Sequence, residues 1–326
     1  MSESFANLLL KEQNLLKNQA NIEDFFNHKI IKHSFIHPNG LTLTALELPG
    51  NPLHTLVIIP GRGEIGHKYA EFLFSLRSLN WRILILFCRG QGSSTRLLAD
   101  INRCHIDKFE YFRADIQFLL SKLGVKEYRL MAFSLGALIS LDLIVNGNHI
   151  PKKAALLAPY VYPYFPLPKL VLRTLILGLG MLPLSKISYT PHGGRYKRIP
   201  FADNNHSHSE IRYNLYHDYY AAHPELTIGG PTWGFLRQAY LTQMNLIHKN
   251  FKFKIPIMSI LAGDDKVVSS QVAFEFFKKH ANDCLGSKII SIENAYHDLL
   301  NESDKYRIQS LPQALKFLES GEENVC

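Results

Sequence analysis

Cysteine is scarce in this chain. Four occur among 326 residues, Cys88, Cys104, Cys284 and Cys326, and none stands in a Cys-x-x-Cys pair or another zinc-ligand spacing. That scatter argues against a disulfide framework and a structural zinc site, and it predicts reduced thiols, as in a cytoplasmic protein. A secretory signal is also missing: Met1-Ser2-Glu3-Ser4-Phe5-Ala6-Asn7 has no basic region leading into an apolar core. Long apolar runs are absent. The most apolar stretch lies between Lys169 and Lys186, is interrupted or bounded by Arg173 and Pro183, and is too short to span a bilayer.

Charge of one sign is in excess but not concentrated. A formal charge of +8 permits binding to nucleic acid or to an anionic membrane face. The basic residues form no dense block with interleaved aromatics, which sets nucleic acid aside and leaves peripheral contact with the inner face of a membrane. Neither Gly61-Arg62-Gly63 nor Gln91-Gly92 has the spacing of a phosphate-cradling loop. His206-Ser207-His208 suggests a metal pair, but no partner cluster accompanies it. No cofactor and no metal are expected.

What the chain does contain is 46% hydrophobic residues, enough at this length for a full core. Short apolar runs at 54–59, 82–87, 128–133, 154–157, 257–262 and 288–292 alternate with helical stretches at 66–79, 108–123, 135–145, 272–279 and 306–318. In one of these, Phe109, Phe112, Ile116, Leu119, Leu120 and Leu123 share a face. Continuous apolar strands between amphipathic helices imply an α/β fold with a mostly parallel, doubly wound sheet. Two further strands are expected at 30–37 and 41–48, around the turn Pro38-Asn39-Gly40. A helical leader over 1–28 precedes them, with Phe5, Leu8, Leu9, Leu15 and Leu16 at partly helical spacing. The alternation breaks at about 160–250, a segment rich in Pro, Tyr, His and Gly. Because the sheet pattern then resumes, this insertion reads as a cap over the strand carboxyl ends, where such sheets bind ligands. The chain thus divides into a leader, 1–28, and one capped domain, 29–326.

Ser134 follows an apolar strand and precedes a helix, within Ala132-Phe133-Ser134-Leu135-Gly136. That is the context of the nucleophile elbow of the α/β-hydrolase fold, whose tight turn needs small residues two before and two after the serine. Alanine stands where the strict motif has glycine. A serine nucleophile needs a base, and the base an orienting acid, in the chain order serine, acid, histidine. Gly263-Asp264-Asp265-Lys266-Val267-Val268 offers two carboxylates. Asp265 is preferred, because an acid followed by a basic and two β-branched residues matches the hydrolase pattern, and Asp264 reads as a turn or capping residue. His297, in the loop after the last strand and with Glu302 downstream, is the expected base. The oxyanion needs preorganised donors. They are expected from the backbone N–H groups of Leu135, at a helix start, and of Arg62, in Pro60-Gly61-Arg62-Gly63-Glu64.

Together with Arg89-Gly90-Gln91-Gly92-Ser93-Ser94 and Ala295-Tyr296-His297-Asp298, these motifs resemble the monoacylglycerol-lipase-type serine hydrolases, and within them the bacterial lysophospholipases. In the cap, Gly194-Arg195-Tyr196-Lys197-Arg198-Ile199-Pro200-Phe201 and Glu225-Leu226-Thr227-Ile228-Gly229-Gly230-Pro231-Thr232 carry the likeness, which spans about residues 30–318. Phe87 and Cys88 depart from it, replacing the Asp-His common before Arg-Gly-Gln-Gly. The acid departs as well, being Asp where related enzymes can carry Glu. The resemblance implies a lipid ester as substrate, with Arg195 and Trp233 as cap residues that bind it. Leu170, Leu172, Leu175, Ile176, Leu177, Leu179 and Met181 could line an acyl pocket, touch lipid, or form the cap's own core. Arg195, Lys197 and Arg198 could meet phosphate or remain a solvated face. Hydrolysis of a lysophospholipid is the leading expectation. Monoacylglycerol lipase, general carboxylesterase, acyl transferase and a non-catalytic binding protein stay open beside it.

Overall fold

The computed structural model describes residues 2–165, 168–191, 193–281, 284 and 286–320. Eight strands form one sheet: β1 Ile31–Ile36, β2 Thr42–Leu48, β3 Asn51–Ile59, β4 Trp81–Phe87, β5 Arg129–Phe133, β6 Ala154–Leu157, β7 Ile257–Ala262 and β8 Lys288–Ile292. Their order is β1-β2-β4-β3-β5-β6-β7-β8. Only β2 runs against its neighbours; β4 through β8 are parallel, with Val57 opposite both Leu84 and Leu130. This is the α/β-hydrolase arrangement expected from the alternating apolar runs.

Side chains alternate across each strand, so one strand feeds two cores. Val57, Ile59, Leu84, Leu86, Leu130, Ala132 and Leu156 face helices α4 (Glu110–Lys122), α5 (Leu135–Asn146) and α10 (Ser270–Ala281). Leu56, Ile58, Ile83, Ile85, Met131, Phe133, Ala155 and Leu157 face α3 (Ala70–Leu76) and α11 (Asp304–Glu319). Between β6 and β7 the insertion carries α6 (Lys169–Leu179), α7 (Pro183–Lys186), α8 (Glu210–Ala222) and α9 (Trp233–His248).

The leader forms two helices, α1 (Ser2–Leu8) and α2 (Glu12–Lys29). Phe5, Leu9, Ile22, Phe25 and Phe26 join the α3 and α11 core, whereas Leu16 is exposed. The break between the helices is held by charge. Leu10 O accepts from Arg212 Nη2 at 3.1 Å and from Arg307 Nη1 at 3.2 Å, and Glu12 N–H donates to Asp304 Oδ2 at 2.9 Å. Arg212 and Arg307 are both buried and share Glu71, at 2.9 and 2.8 Å. Removing that carboxylate would leave the buried Arg307 cation without its carboxylate, at a cost of about 3–5 kcal/mol, while Arg212 would keep Asp304 at 2.9 Å. Leader, α3, α8 and α11 therefore meet at one ionic node, which no hydrophobic periodicity signals.

The thiols differ from expectation. Cys88 and Cys104 are buried free thiols, but Cys284 is disulfide-bonded. Among the described residues no helix is long and apolar enough to cross a membrane.

Candidate active site

β5 runs straight into Ser134, whose φ of 48° and ψ of −113° lie outside the usual regions for a non-glycine residue. The turn is held from both sides. Ser134 N–H donates to Leu157 O at 3.0 Å, and Ser134 O accepts from Ala137 and Tyr160 N–H groups at 3.0 and 3.2 Å. A Cβ on Gly136 would lie 2.1 Å from Ile59 O and 2.5 Å from Pro60 O, so no other residue fits there. Ala132 is fully buried with its methyl in the core, which is why alanine serves where the strict motif has glycine.

His297 arrives from the loop after β8. Its Nε2 stands 2.8 Å from Ser134 Oγ, and its Nδ1 is 2.7 Å from Asp265 Oδ2. The other carboxylate oxygen of Asp265 accepts the N–H groups of Val267 and Val268 at 2.8 and 2.9 Å. A carboxylate on Nδ1 keeps the proton there and leaves Nε2 as the acceptor facing the hydroxyl. Asp264 is half-exposed and paired with Lys266, away from His297. Glu302 does not touch His297 either. It is buried and accepts from Tyr296 N–H at 2.8 Å, His208 N–H at 2.9 Å and His208 Nδ1 at 2.7 Å, so it shapes the loop.

The loop after β3 leaves one donor free. Gly61 N–H goes to Glu64 Oε2 at 2.6 Å and Gly63 N–H to Gln91 Oε1 at 2.9 Å. Between them, Arg62 N–H has no acceptor among the described residues. Leu135 opens α5, where first-turn N–H groups have no intrahelical partner. The Arg62 guanidinium reaches the cap, donating to Gly229 O at 2.6 Å. Phe87 and Cys88, the departures from the family pattern, are packing residues. The Phe87 ring lies where a Cβ on Gly92 would come within 2.2 Å of it, and the Cys88 thiol donates to Phe112 O at 3.6 Å.

Two cavities meet at Ser134. One, about 710 Å³, lies beneath α6 and α9 and is walled by Leu172, Leu175, Ile176, Trp233, Leu236 and Tyr240. The other, about 490 Å³, lies beneath α8 and is walled by Lys68, Arg195, Tyr196, Tyr216, Tyr220 and Asp298 among others. Arg62, His206 and Val267 line both. Trp233 and Arg195, paired as cap residues by the sequence reading, thus stand on opposite sides of the serine. In α6, Leu172 and Ile176 are buried, whereas Leu170 and Leu175 are exposed, as is Met181 beyond it.

Sequence reasoning missed Lys68. Its ammonium is bonded to Glu64 at 2.6 Å and Asp298 at 2.8 Å, and lies 4.9 Å from the Tyr216 ring centroid. Burial opposes its charge, but Asp298 and Glu64 outweigh that and hold it well above the usual lysine range. The only available signal was Glu64 and Lys68 one helical turn apart beside the glycine loop. Among the described residues no group of three His, Cys, Asp or Glu side chains could hold a metal ion.

The chain is similar to known proteins in sequence and in fold. A family model described as Hydrolase_4, serine aminopeptidase S33, matches residues 50–304. Lysophospholipase L2 of Escherichia coli is 29% identical over 269 residues, covering 80% of this chain and 79% of that protein. A probable lysophospholipase L2 of Haemophilus influenzae is 25% identical, covering 81% and 83%. Among solved structures, a soluble variant of monoglyceride lipase from Saccharomyces cerevisiae, in complex with a substrate analogue, superposes with a TM-score of 0.68 at 15% identity, covering 89% and 95%. That last likeness is one of fold.

Proposed function

The chain belongs to the Hydrolase_4 family, serine aminopeptidase S33, and from that premise we propose that it is a serine hydrolase removing the acyl chain of a single-chain lipid ester, first of all a lysophospholipid. The observation that carries this reading is the pair of unlike cavities meeting at Ser134. An acyl chain suits the apolar side, where each buried methylene contributes roughly 0.8 kcal/mol. A polar head suits the other side, which has Arg195 at its rim. The names of the bacterial relatives point the same way.

The chemistry follows from the contacts. Ser134 Oγ attacks the ester carbonyl as His297 Nε2 takes its proton, and Asp265 stabilises the imidazolium. The Leu135 and Arg62 N–H groups receive the oxyanion. His297 then returns the proton to the departing alcohol oxygen, leaving the acyl group on Ser134. Water, deprotonated by the same imidazole, releases the fatty acid and restores the serine.

Attachment to an anionic lipid face belongs to the same proposal. Tyr164, Phe165, Leu170, Met181, Leu182 and Leu184 are exposed around the apolar cavity's side of the cap, and such apolar surface on a chain of net charge +8 favours shallow, salt-sensitive insertion. A hydrolysis panel of lysophospholipids, monoacylglycerols and short nitrophenyl esters, with vesicle sedimentation at low and high salt, tests the reading. Preference for long-chain lysophospholipid, with binding to anionic vesicles that weakens in salt, is expected. Activity peaking at acetyl or butyryl esters, without vesicle binding, overturns it.

A further inference from the structure

Residues 204–209 of the cap lie against the loop that carries His297. Asp298 N–H donates to His206 O at 2.8 Å, Ser207 Oγ donates to Asn301 O at 2.6 Å, and Glu302 accepts the His208 N–H at 2.9 Å. These bonds fix the position of His206 but leave its side chain unengaged. Neither ring nitrogen has a hydrogen-bond partner among the described residues. The ring sits edge-to-face on His297, with centroids 6.0 Å apart, in the wall shared by both cavities.

Burial, then the neighbouring His297, lower the pKa of this imidazole to about 4; Lys68 and Arg62 push the same way and Asp298 opposes them. At neutral pH the ring is uncharged, with one N–H to donate and one lone pair to accept. A half-buried group with both capacities unspent is a poor neighbour for a hydrocarbon chain and a good one for a hydroxyl. The scissile ester must cross this seam, with its chain on one side and its head on the other. In a lysophospholipid the carbon beside the ester-bearing carbon carries a free hydroxyl.

We infer that His206 is a specificity-determining residue that hydrogen-bonds the free hydroxyl next to the scissile ester, so that the site reads the chemical mark of a lipid already missing one chain. The inference rests on the substrate reading above and names the group that enforces it. A diacyl lipid would bring a second ester, with no proton to give, and a second chain against the same ring. Sites that bond a substrate hydroxyl reject the analogue lacking it far more sharply than apolar pockets reject a methylene.

The test compares kcat/KM for a 1-acyl lysophospholipid and its 2-deoxy analogue, with chain and head group held constant. Fluorophosphonate labelling of Ser134 and cleavage of nitrophenyl laurate are followed in parallel. The native enzyme should favour the hydroxyl-bearing substrate by about ten- to a hundredfold. His206→Phe should bring the ratio to within about twofold of unity, and His206→Asn, which keeps a donor and an acceptor, should restore part of it. The inference is overturned if the native enzyme treats both substrates alike, or if the ratio survives in His206→Phe. It is also overturned if both variants lose Ser134 labelling, since His206 would then be a prop of the His297 loop. Cleavage of the nitrophenyl ester with no turnover of any lysophospholipid would instead overturn the substrate reading, and this inference with it.

Discussion

The cap holds its two sides by different means. Over the apolar cavity, α6 sits on α9 through Leu172, Ile176 and Tyr240, and shows Leu170 and Leu175 to solvent. Over the polar cavity, α8 is bolted to the body through Arg212, Glu71 and Asp304, and much of the polar lining is already engaged: Lys68 with Glu64 and Asp298, and Tyr220 with Gly63 O at 3.0 Å. Dispersion and burial hold the first side, directed bonds the second. An apolar hollow discriminates gradually, by length. A bonded hollow discriminates by presence or absence of a group.

The largest expected effect cuts across both sides. Asp265→Asn should lower kcat by about 10⁴-fold, because the imidazole loses its tautomer and its stabilising charge. Asp264→Asn should change kcat by less than about twofold, as expected for one half of an exposed ion pair. Steady-state rates on one long-chain substrate decide this, and reversed sensitivities would mean that the wrong carboxylate had been chosen.

The apolar side should answer to volume. Ile176→Trp fills part of the larger cavity and should move the chain-length optimum shorter. Each methylene excluded should cost about 0.8 kcal/mol, roughly fourfold in kcat/KM. A series of chain lengths at fixed head group measures it; an unchanged optimum would place the chain elsewhere.

Acid should loosen the α8 side of the cap, where two imidazoles resist protonation. His206 and His217 both have pKa values lowered to about 4 from an ordinary 6.5, chiefly by burial, helped by His297 for the first and Arg198 for the second. In this pH interval the unfolded chain binds protons that the folded chain refuses, so stability should fall as pH drops from 6.5 toward 4. Thermal unfolding across that range checks the sign, and His217→Phe should flatten the slope. A slope of opposite sign would mean that the imidazoles are charged in the fold.

Arg195→Ala should have the smallest effect. Its side chain is 76% exposed, and its nearest carboxylate, on Asp100, is 3.6 Å away. A few-fold rise in KM for lysophospholipid is expected, vanishing at high salt as exposed charges are screened. A large loss on an uncharged ester would show that Arg195 supports the fold instead.

Much of this was legible in the sequence where local rules dominate. The mostly parallel, doubly wound sheet could be anticipated because each central strand is built on a short apolar run between helices. The serine elbow was legible because backbone contact demands Gly136 and the core takes a small Ala132, and the His297–Asp265 contact because chain order and loop position restrict the choice. The rest depends on contacts distant in sequence. Arg212 joins the leader to the body from a helix with no apolar stripe to announce it. His206 stood beside His208 as a discarded metal pair, and only folding separates them, one onto Glu302 and the other into the seam between cavities. The leader's break at Leu10 and the disulfide at Cys284 likewise follow from tertiary neighbours, not from spacing.

The central claim is that Ser134 carries the acyl chain from one cavity while the head leaves by the other. Intact-mass and peptide mass spectrometry of acid-quenched turnover mixtures tests it most directly. With a palmitoyl lysophospholipid, the account predicts one palmitoyl group, on the peptide containing Ser134, and none in Ser134→Ala, which should release no fatty acid. Fatty acid release by Ser134→Ala, or acylation at a different residue, would contradict it.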